Sequence, residues 1–205
     1  MQHGATKSTA LPLMEAFRTV QGEGAHTGRP SFFLRIGGCD VGCHWCDVKE
    51  SWDATKHPLT ALEDLLTLPG PNDRTVVVTG GEPLMWDMGP LTEGLRSRGI
   101  KVHLETSGAY PVTGTWDWVC LSPKKTKMPL PEWYALADEL KVIIYNEHDF
   151  TWAEQHATRC PSSTERFLQP EWSRREANLP KIIKYLELNP SWRLGLQTHK
   201  YIGMP

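Results

Sequence analysis

Cys39, Cys43 and Cys46 stand in the run Gly38-Cys39-Asp40-Val41-Gly42-Cys43-His44-Trp45-Cys46-Asp47, separated by three residues and then two. Three thiolates are one short of the four ligands that a four-iron, four-sulfur cluster takes, so a cluster held here keeps one iron open to a ligand that is not protein. A structural zinc site would recruit His44 as the fourth ligand. Such sites pair Cys-x2-4-Cys with a second pair well downstream, and no second Cys or His pair follows at that spacing. On spacing alone, zinc and an electron-transfer cluster both stay open. Cys120, inside an apolar run, reads as a buried small hydrophobe, and Cys160, before a proline, as a surface thiol.

Other segments carry groups of chemical use. In Thr79-Gly80-Gly81-Glu82-Pro83 two glycines let the backbone approach a ligand and Glu82 offers an acceptor; alone, the same residues describe a turn capped by a surface glutamate. In Gln21-Gly22-Glu23-Gly24 the Gln21 amide both donates and accepts, and the glycines bare backbone N–H and C=O groups. Arg35 suits a bidentate contact to a carboxylate. Standing alone, these would be a glycine-rich turn and a solvated arginine. Trp45 by itself would more commonly be core packing.

Short β-rich runs alternate with helical stretches, the pattern of a parallel α/β sheet. Strands are predicted over 31–36, 75–79, 101–105, 117–121, 141–145, 165–168 and 192–196, and helices over 60–68, 89–98, 131–140, 149–157 and 178–188. The first helix carries Leu62, Leu65 and Leu66 at helical spacing, behind a capping box of Thr60 and Glu63. The polar punctuation falls at the ends of strands: Gly80-Gly81-Glu82-Pro83, Glu105-Thr106-Ser107-Gly108, Ser122-Pro123-Lys124, Gln169-Pro170 and Gln197-Thr198-His199-Lys200. C-terminal strand ends form the catalytic face of a (β/α) barrel. With 205 residues against the ~250 typical of a closed eight-stranded barrel, the fold class expected is α/β, an open partial TIM-like barrel of roughly six strands. Residues 1–10 read as a flexible N-terminus and 11–205 as a single domain. The chain is predicted to finish after Leu196 without another helix, its tail folding back over the site by a turn at Gly203.

The cysteine spacing, the aromatic before the last cysteine and the Gly-Gly-Glu-Pro segment together resemble the radical S-adenosylmethionine (SAM) superfamily, whose open iron chelates SAM. From about Leu13 to Pro205 the chain resembles the 7-carboxy-7-deazaguanine synthase family, most specifically in Gln21-Gly22-Glu23-Gly24 leading to the cysteine loop. The resemblance implies a divergent partial barrel of the radical SAM type and a homodimer. It implies cluster ligation by Cys39, Cys43 and Cys46, and a SAM site drawing on Trp45, Gly80, Gly81, Glu82, Glu105, Thr106, Ser122, Lys124 and Gln169, with Glu82 on the methionyl ammonium and Trp45 near the adenine. It places substrate contacts at Gln21, Gly22, Glu23, Arg35, Thr79, His199 and the Pro205 carboxylate. Lys141 falls in Asp138-x-x-Lys141, a pair that matches the family. The implied reaction converts 6-carboxy-5,6,7,8-tetrahydropterin to 7-carboxy-7-deazaguanine with loss of ammonia, through a 5′-deoxyadenosyl radical that takes hydrogen from substrate C6. An external flavodoxin-like or ferredoxin-like donor supplies the electron, and no side chain is required as an acid or base. Family members follow the last cysteine with Asp-Thr, the threonine hydroxyl binding magnesium; here the pair is Asp47-Val48, and a valine methyl cannot ligate a cation that demands oxygen. Two rivals are a glycyl-radical activase of the same superfamily, against which the QGEG and C-terminal segments argue, and a zinc or iron-sulfur binding module.

The remaining sequence excludes other classes. A net charge of −2 and no basic run give no electrostatic case for nucleic acid or an acidic membrane. Five cysteines, three of them clustered, do not suit a disulfide framework, and neither an apolar signal core nor a run of ~20 apolar residues appears. A reducing cytoplasm and a small-molecule substrate are the expectation.

Overall fold

The computed structural model describes residues 9–205. Its strands are β1 (Ala10–Val20), β2 (Pro30–Ile36), β3 (Leu59–Ala61), β4 (Thr75–Gly80), β5 (Lys101–Thr106), β6 (Trp118–Leu121), β7 (Glu139–Ile144), β8 (Glu165–Pro170) and β9 (Arg193–Leu194). They form one nine-stranded sheet in the order β3-β1-β2-β4-β5-β6-β7-β8-β9. From β2 to β9 every neighbouring pair is parallel, while β1 runs antiparallel to β2 and β3. This is an open α/β partial barrel with nine strands instead of roughly six.

Alternation along the parallel strands separates two faces. Leu34, Ile36, Val76, Val78, Val102, Leu104, Val119 and Leu121 face the helices and are buried in one core with α1 (Leu62–Thr67), α2 (Gly89–Ser97) and α3 (Glu132–Leu136). A second core joins Leu140, Val142, Ile144 and Leu168 to α4 (His148–Ala157) and α5 (Arg175–Leu188). The intervening residues, among them Arg35, Thr79, His103, Glu105, Cys120, Glu139 and Lys141, project to the other face. Burying polar groups there requires that they pair with one another.

Several elements depart from the sequence pattern. β1 was not expected: Pro12, Met14, Glu15 and Ala16 are poor strand formers, but pairing on both sides and a register shift between Leu13 and Glu15 accommodate them. Thr60 does not cap a helix. It lies in β3 and its Oγ1 donates to Pro58 O at 3.3 Å, so α1 begins later without a side-chain cap. The helix expected over 131–140 stops at Leu136 because Glu139 and Leu140 are claimed by β7, which pairs with both β6 and β8. The tail forms a further helix, α6 (Thr198–Ile202), ended by Gly203 at φ +68°, and turns back through Met204 N donating to His199 O at 3.0 Å. Of the N-terminal segment expected to be flexible, residues 1–8 lie outside the described residues; Thr9 O accepts from Leu62 N and Ala10 pairs with Ala61. Cys120 is buried as expected. Cys160 is only partly exposed and packs against both cores rather than lying free on the surface.

Candidate active site

At the C-terminal ends of the parallel strands lies a cavity of about 490 Å³, and every residue singled out above as a cluster, SAM, substrate or magnesium candidate lines it. The cysteine loop forms one wall. It is rooted by Gly38 N to Ser51 O at 2.7 Å and Cys39 N to Trp52 O at 3.1 Å, and it turns through Cys46 N to Cys43 O at 3.0 Å. The Gly80-Gly81-Glu82 turn is tied to that root by Gly81 N to Ile36 O at 3.0 Å and Glu82 N to Gly38 O at 2.8 Å. A Cβ on Gly81 would come 2.8 Å from Cys39 Cβ, so glycine is what lets the turn lie against the cysteine. Burial pushes the Cys39 and Cys43 thiols up, so iron would have to displace their protons on binding.

Glu82 differs from its expected use as a free acceptor. Nearly fully buried, it accepts from Leu84 N (3.2 Å) and Thr106 Oγ1 (2.7 Å) on Oε1, and from Ser107 N (2.8 Å) and Ser107 Oγ (2.5 Å) on Oε2. It locks the ends of β4 and β5 together. Lys124 folds over its own turn, donating to Ser122 O at 2.6 Å and Ser122 Oγ at 2.5 Å, with its ammonium 5.6 Å from the Trp45 ring centre. Burial lowers its pKa. Gln169 is buried with Oε1 unpartnered, whereas Arg35 already gives Nε to Glu15 Oε2 at 2.7 Å across the β1–β2 pair.

The opposite end of the cavity is built by a clasp between distant segments. Thr198 N donates to Gly22 O at 2.8 Å, Gln197 Nε2 donates to Glu23 Oε1 at 2.8 Å, and His199 packs on Gly22, where any Cβ would overlap the imidazole. Gln21 donates to Glu105 Oε1 at 3.3 Å and accepts from Glu23 N at 3.2 Å. Beneath them Lys141, 8% exposed in its side chain, donates to Glu23 Oε2 at 2.6 Å and Glu105 Oε2 at 2.8 Å. Burial opposes the charge on Glu23, but Lys141, Gln197 and His199 hold its carboxyl down at about 2. Burial likewise opposes the Lys141 charge, and the acidic groups around it push the ammonium well above its usual range. Gln21 and Glu23, expected to meet substrate through free side-chain edges, are thus engaged with Glu105, Lys141 and Gln197, while Thr79, His199 and Pro205 line the cavity with no side-chain hydrogen bond among the described residues. Burial lowers the His199 pKa, which favours a neutral imidazole.

Ser107, Gln197 and Lys200 also line the cavity; the sequence put them in segments on the catalytic face but assigned them no role. Ser107 follows Glu105-Thr106 at a strand end, which was the available signal. Gln197 and Lys200 flank His199, and their partner Asp47 is over a hundred residues away in sequence. Lys200 Nζ reaches Asp47 Oδ2 at 2.6 Å, and Gln197 Nε2 reaches it at 3.3 Å.

A model of the radical SAM superfamily matches residues 34–120. The chain is 56% identical over 205 residues, 100% of its own length and 98% of the relative's, to 7-carboxy-7-deazaguanine synthase of Flavobacterium psychrophilum. The chain belongs to the 7-carboxy-7-deazaguanine synthase family. It is 48% identical to the synthase of a Synechocystis species over 96% of this chain and 95% of that one. It also matches the crystal structure of QueE from Escherichia coli with a TM-score of 0.81 and 32% identity, covering 93% of this chain and 95% of the other.

Membership of the synthase family and of the radical SAM superfamily brings a four-iron, four-sulfur cluster and SAM as cofactors. The residues present fit them: three thiols on one loop line a single cavity, and a glycine turn lies directly against that loop, where a Cβ on Gly81 would meet Gly38 O and Cys39 Cβ. Magnesium is a different case. Val48 lines the cavity with methyl groups, and the neighbouring Asp47 carboxylate is taken by Lys200 and Gln197. Among the described residues no group of three or more His, Cys, Asp and Glu could hold a metal ion. For a single cation that demands several oxygens this is a poor fit, whereas a cluster spreads its thiolates over separate irons. No helix of the described residues is long and apolar enough to cross a membrane.

Proposed function

We propose that the chain is a radical SAM lyase that converts 6-carboxy-5,6,7,8-tetrahydropterin to 7-carboxy-7-deazaguanine and ammonia. The observation that carries this reading is the convergence of the cysteine loop, the Gly80-Gly81-Glu82 turn, Gln21-Gly22-Glu23 and Gln197 to Lys200 on one cavity. When bound, the cluster and SAM supply one-electron cleavage of SAM and removal of hydrogen from C6 of the pterin. The protein's part is to hold, orient and shelter. Cys39, Cys43 and Cys46 hold the cluster, and Gly80, Gly81, Glu105, Thr106, Ser122, Lys124 and Gln169 surround SAM, Gln169 Oε1 being an acceptor free for a ligand N–H or O–H. Glu82 contributes by locking Thr106 and Ser107 in place.

At the other end Arg35 and Thr79 receive the pterin carboxylate, while His199 and the carboxylate of Pro205 meet the amine and amide protons of its ring. Gln21, Gly22 and Glu23 border the ring, the side chains of Gln21 and Glu23 being held by Glu105, Lys141 and the tail. A second copy of the chain, an external electron donor and a cytoplasmic setting complete the reading.

Anaerobically reconstituted protein, given SAM, a chemical reductant and the carboxytetrahydropterin, is expected to form 7-carboxy-7-deazaguanine and 5′-deoxyadenosine. SAM cleavage that ignores the pterin, with no deazapurine formed, would reject it in favour of another radical SAM reaction.

A further inference from the structure

Below the cavity floor lies an acid that the reaction described above does not use. Glu139 opens β7 with its side chain on the inner face and is only 3% exposed. Its Oε2 accepts from Ala25 N at 2.9 Å, and Cys120 Sγ lies 3.5 Å from its Oε1. Gly24 sits so close that a Cβ there would overlap both carboxyl oxygens, and its φ of +65° is itself a conformation that favours glycine.

These contacts fall on a closed loop. Gln21 and the chain beyond it are joined at the base by Gln21 N to Arg29 O and Gly28 N to Gln21 O, both at 2.8 Å. The underside of the loop is wedged by His26, whose ring centre lies 4.7 Å from that of His103 and 4.4 Å from that of Trp118. The top is Gln21-Gly22-Glu23, which lines the cavity. Between wedge and top, Glu139 grips the backbone.

We propose that Glu139 is a positioning residue for the substrate: its grip on the Ala25 N–H sets the height of Gln21-Gly22-Glu23 against the pterin without touching pterin or SAM. This rests on the proposed function. The grip needs an acceptor oxygen held to a backbone donor. Glu105, Cys120 and Lys141 face it, with Ala25 above; Lys141 is already bound by Glu23 and Glu105, and burial together with Glu105 pushes the Glu139 carboxyl up. A carboxamide keeps that acceptor, its oxygen toward Ala25 N–H.

The test compares Glu139→Gln, Glu139→Asp and Glu139→Ala in the reconstituted, reduced enzyme. Loss of this hydrogen bond in Glu139→Ala is expected to raise KM for the pterin roughly tenfold, with kcat changed far less, and Glu139→Gln is expected to restore KM. Amide hydrogen exchange over residues 21–28 should quicken in the Ala variant and not in the Gln variant. An unchanged KM in Glu139→Ala, or equal damage from Ala and Gln, overturns the proposal. If Glu139→Ala does not fold, the pair Glu139→Asp and Glu139→Gln decides: Asp draws the carboxyl back by one methylene and should impair KM where Gln does not, and the reverse order overturns it. Hydrogen exchange is read without substrate. Failure of the unmodified enzyme to turn over the pterin would therefore count against the proposed function and leave the loop anchor separately tested.

Discussion

Cys43 and Cys120 are both thiols, yet one lines the cavity and the other is sealed in the sheet beside Glu139. Cys43→Ala is expected to abolish the cluster, read as loss of iron and sulfide in anaerobically prepared protein, while Cys120→Ala keeps both. Val48 leads to a second expectation: turnover depends little on added magnesium, and Val48→Thr creates a dependence. A strict requirement in the unmodified enzyme would contradict the reading of Asp47 and Val48 as a poor magnesium site. Glu23 ties charge to stability. Its folded carboxyl, at about 2, lies below the ordinary 4.5, so its contribution is present above 4.5 and is lost as pH falls toward 2. With the carboxylate largely buried, that amounts to on the order of 3 kcal/mol. Urea unfolding should show Glu23→Gln clearly less stable than the unmodified chain at pH 7, with the gap narrowing at pH 3; a gap that widens in acid would reverse the sign. The cysteines were legible because their spacing is local. The Glu23–Lys141 pair was not, because its members are 118 residues apart and each alone resembles a surface charge.

Among the elements, those made of a short run of β-branched side chains could be read directly, as in Thr75 to Thr79. β1 could not, since its composition opposes a strand and its neighbours impose one. α6 was hidden for a related reason: Thr198 to Ile202 is too short for a helix to declare itself by periodicity, and it is held by Thr198 on Gly22 and by the turn at Gly203. Nothing lies within 4 Å of a Cβ placed on Gly203, so substitution there acts through its backbone alone. Gly203→Val should displace Met204 and Pro205 from the cavity and raise KM for the pterin, with SAM affinity unchanged by equilibrium binding. A C-terminal tag, or deletion of Met204 and Pro205, should act the same way. Equal efficiency of N-tagged and C-tagged enzyme would remove the tail end from the site.

Taken whole, the molecule has two cores, and the backbone seam between them is narrow: β6 and β7 pair only through Cys120 with Glu139 and Leu121 with Leu140. Side chains reinforce it. Asp138 accepts from Val119 N at 2.8 Å, Tyr134 OH meets His156 Nδ1 at 2.7 Å, and the loop over 21–28 bridges Glu105 on one side to Glu139 and Lys141 on the other. We therefore expect one cooperative unfolding transition. Leu104→Ala and Leu168→Ala, one in each core, should both lower its midpoint, each costing about 3 kcal/mol by circular dichroism in urea. Two separable transitions would show the halves to be independent. The bond from Thr198 to Gly22 spans 176 residues. The wall it adds to the cavity therefore depends on residues made late, whereas the cysteine loop is tied to Ser51 and Trp52 close by in the chain. A chain cut short before Thr198 is expected to keep the local ties of that loop and to lose the wall beside Gly22.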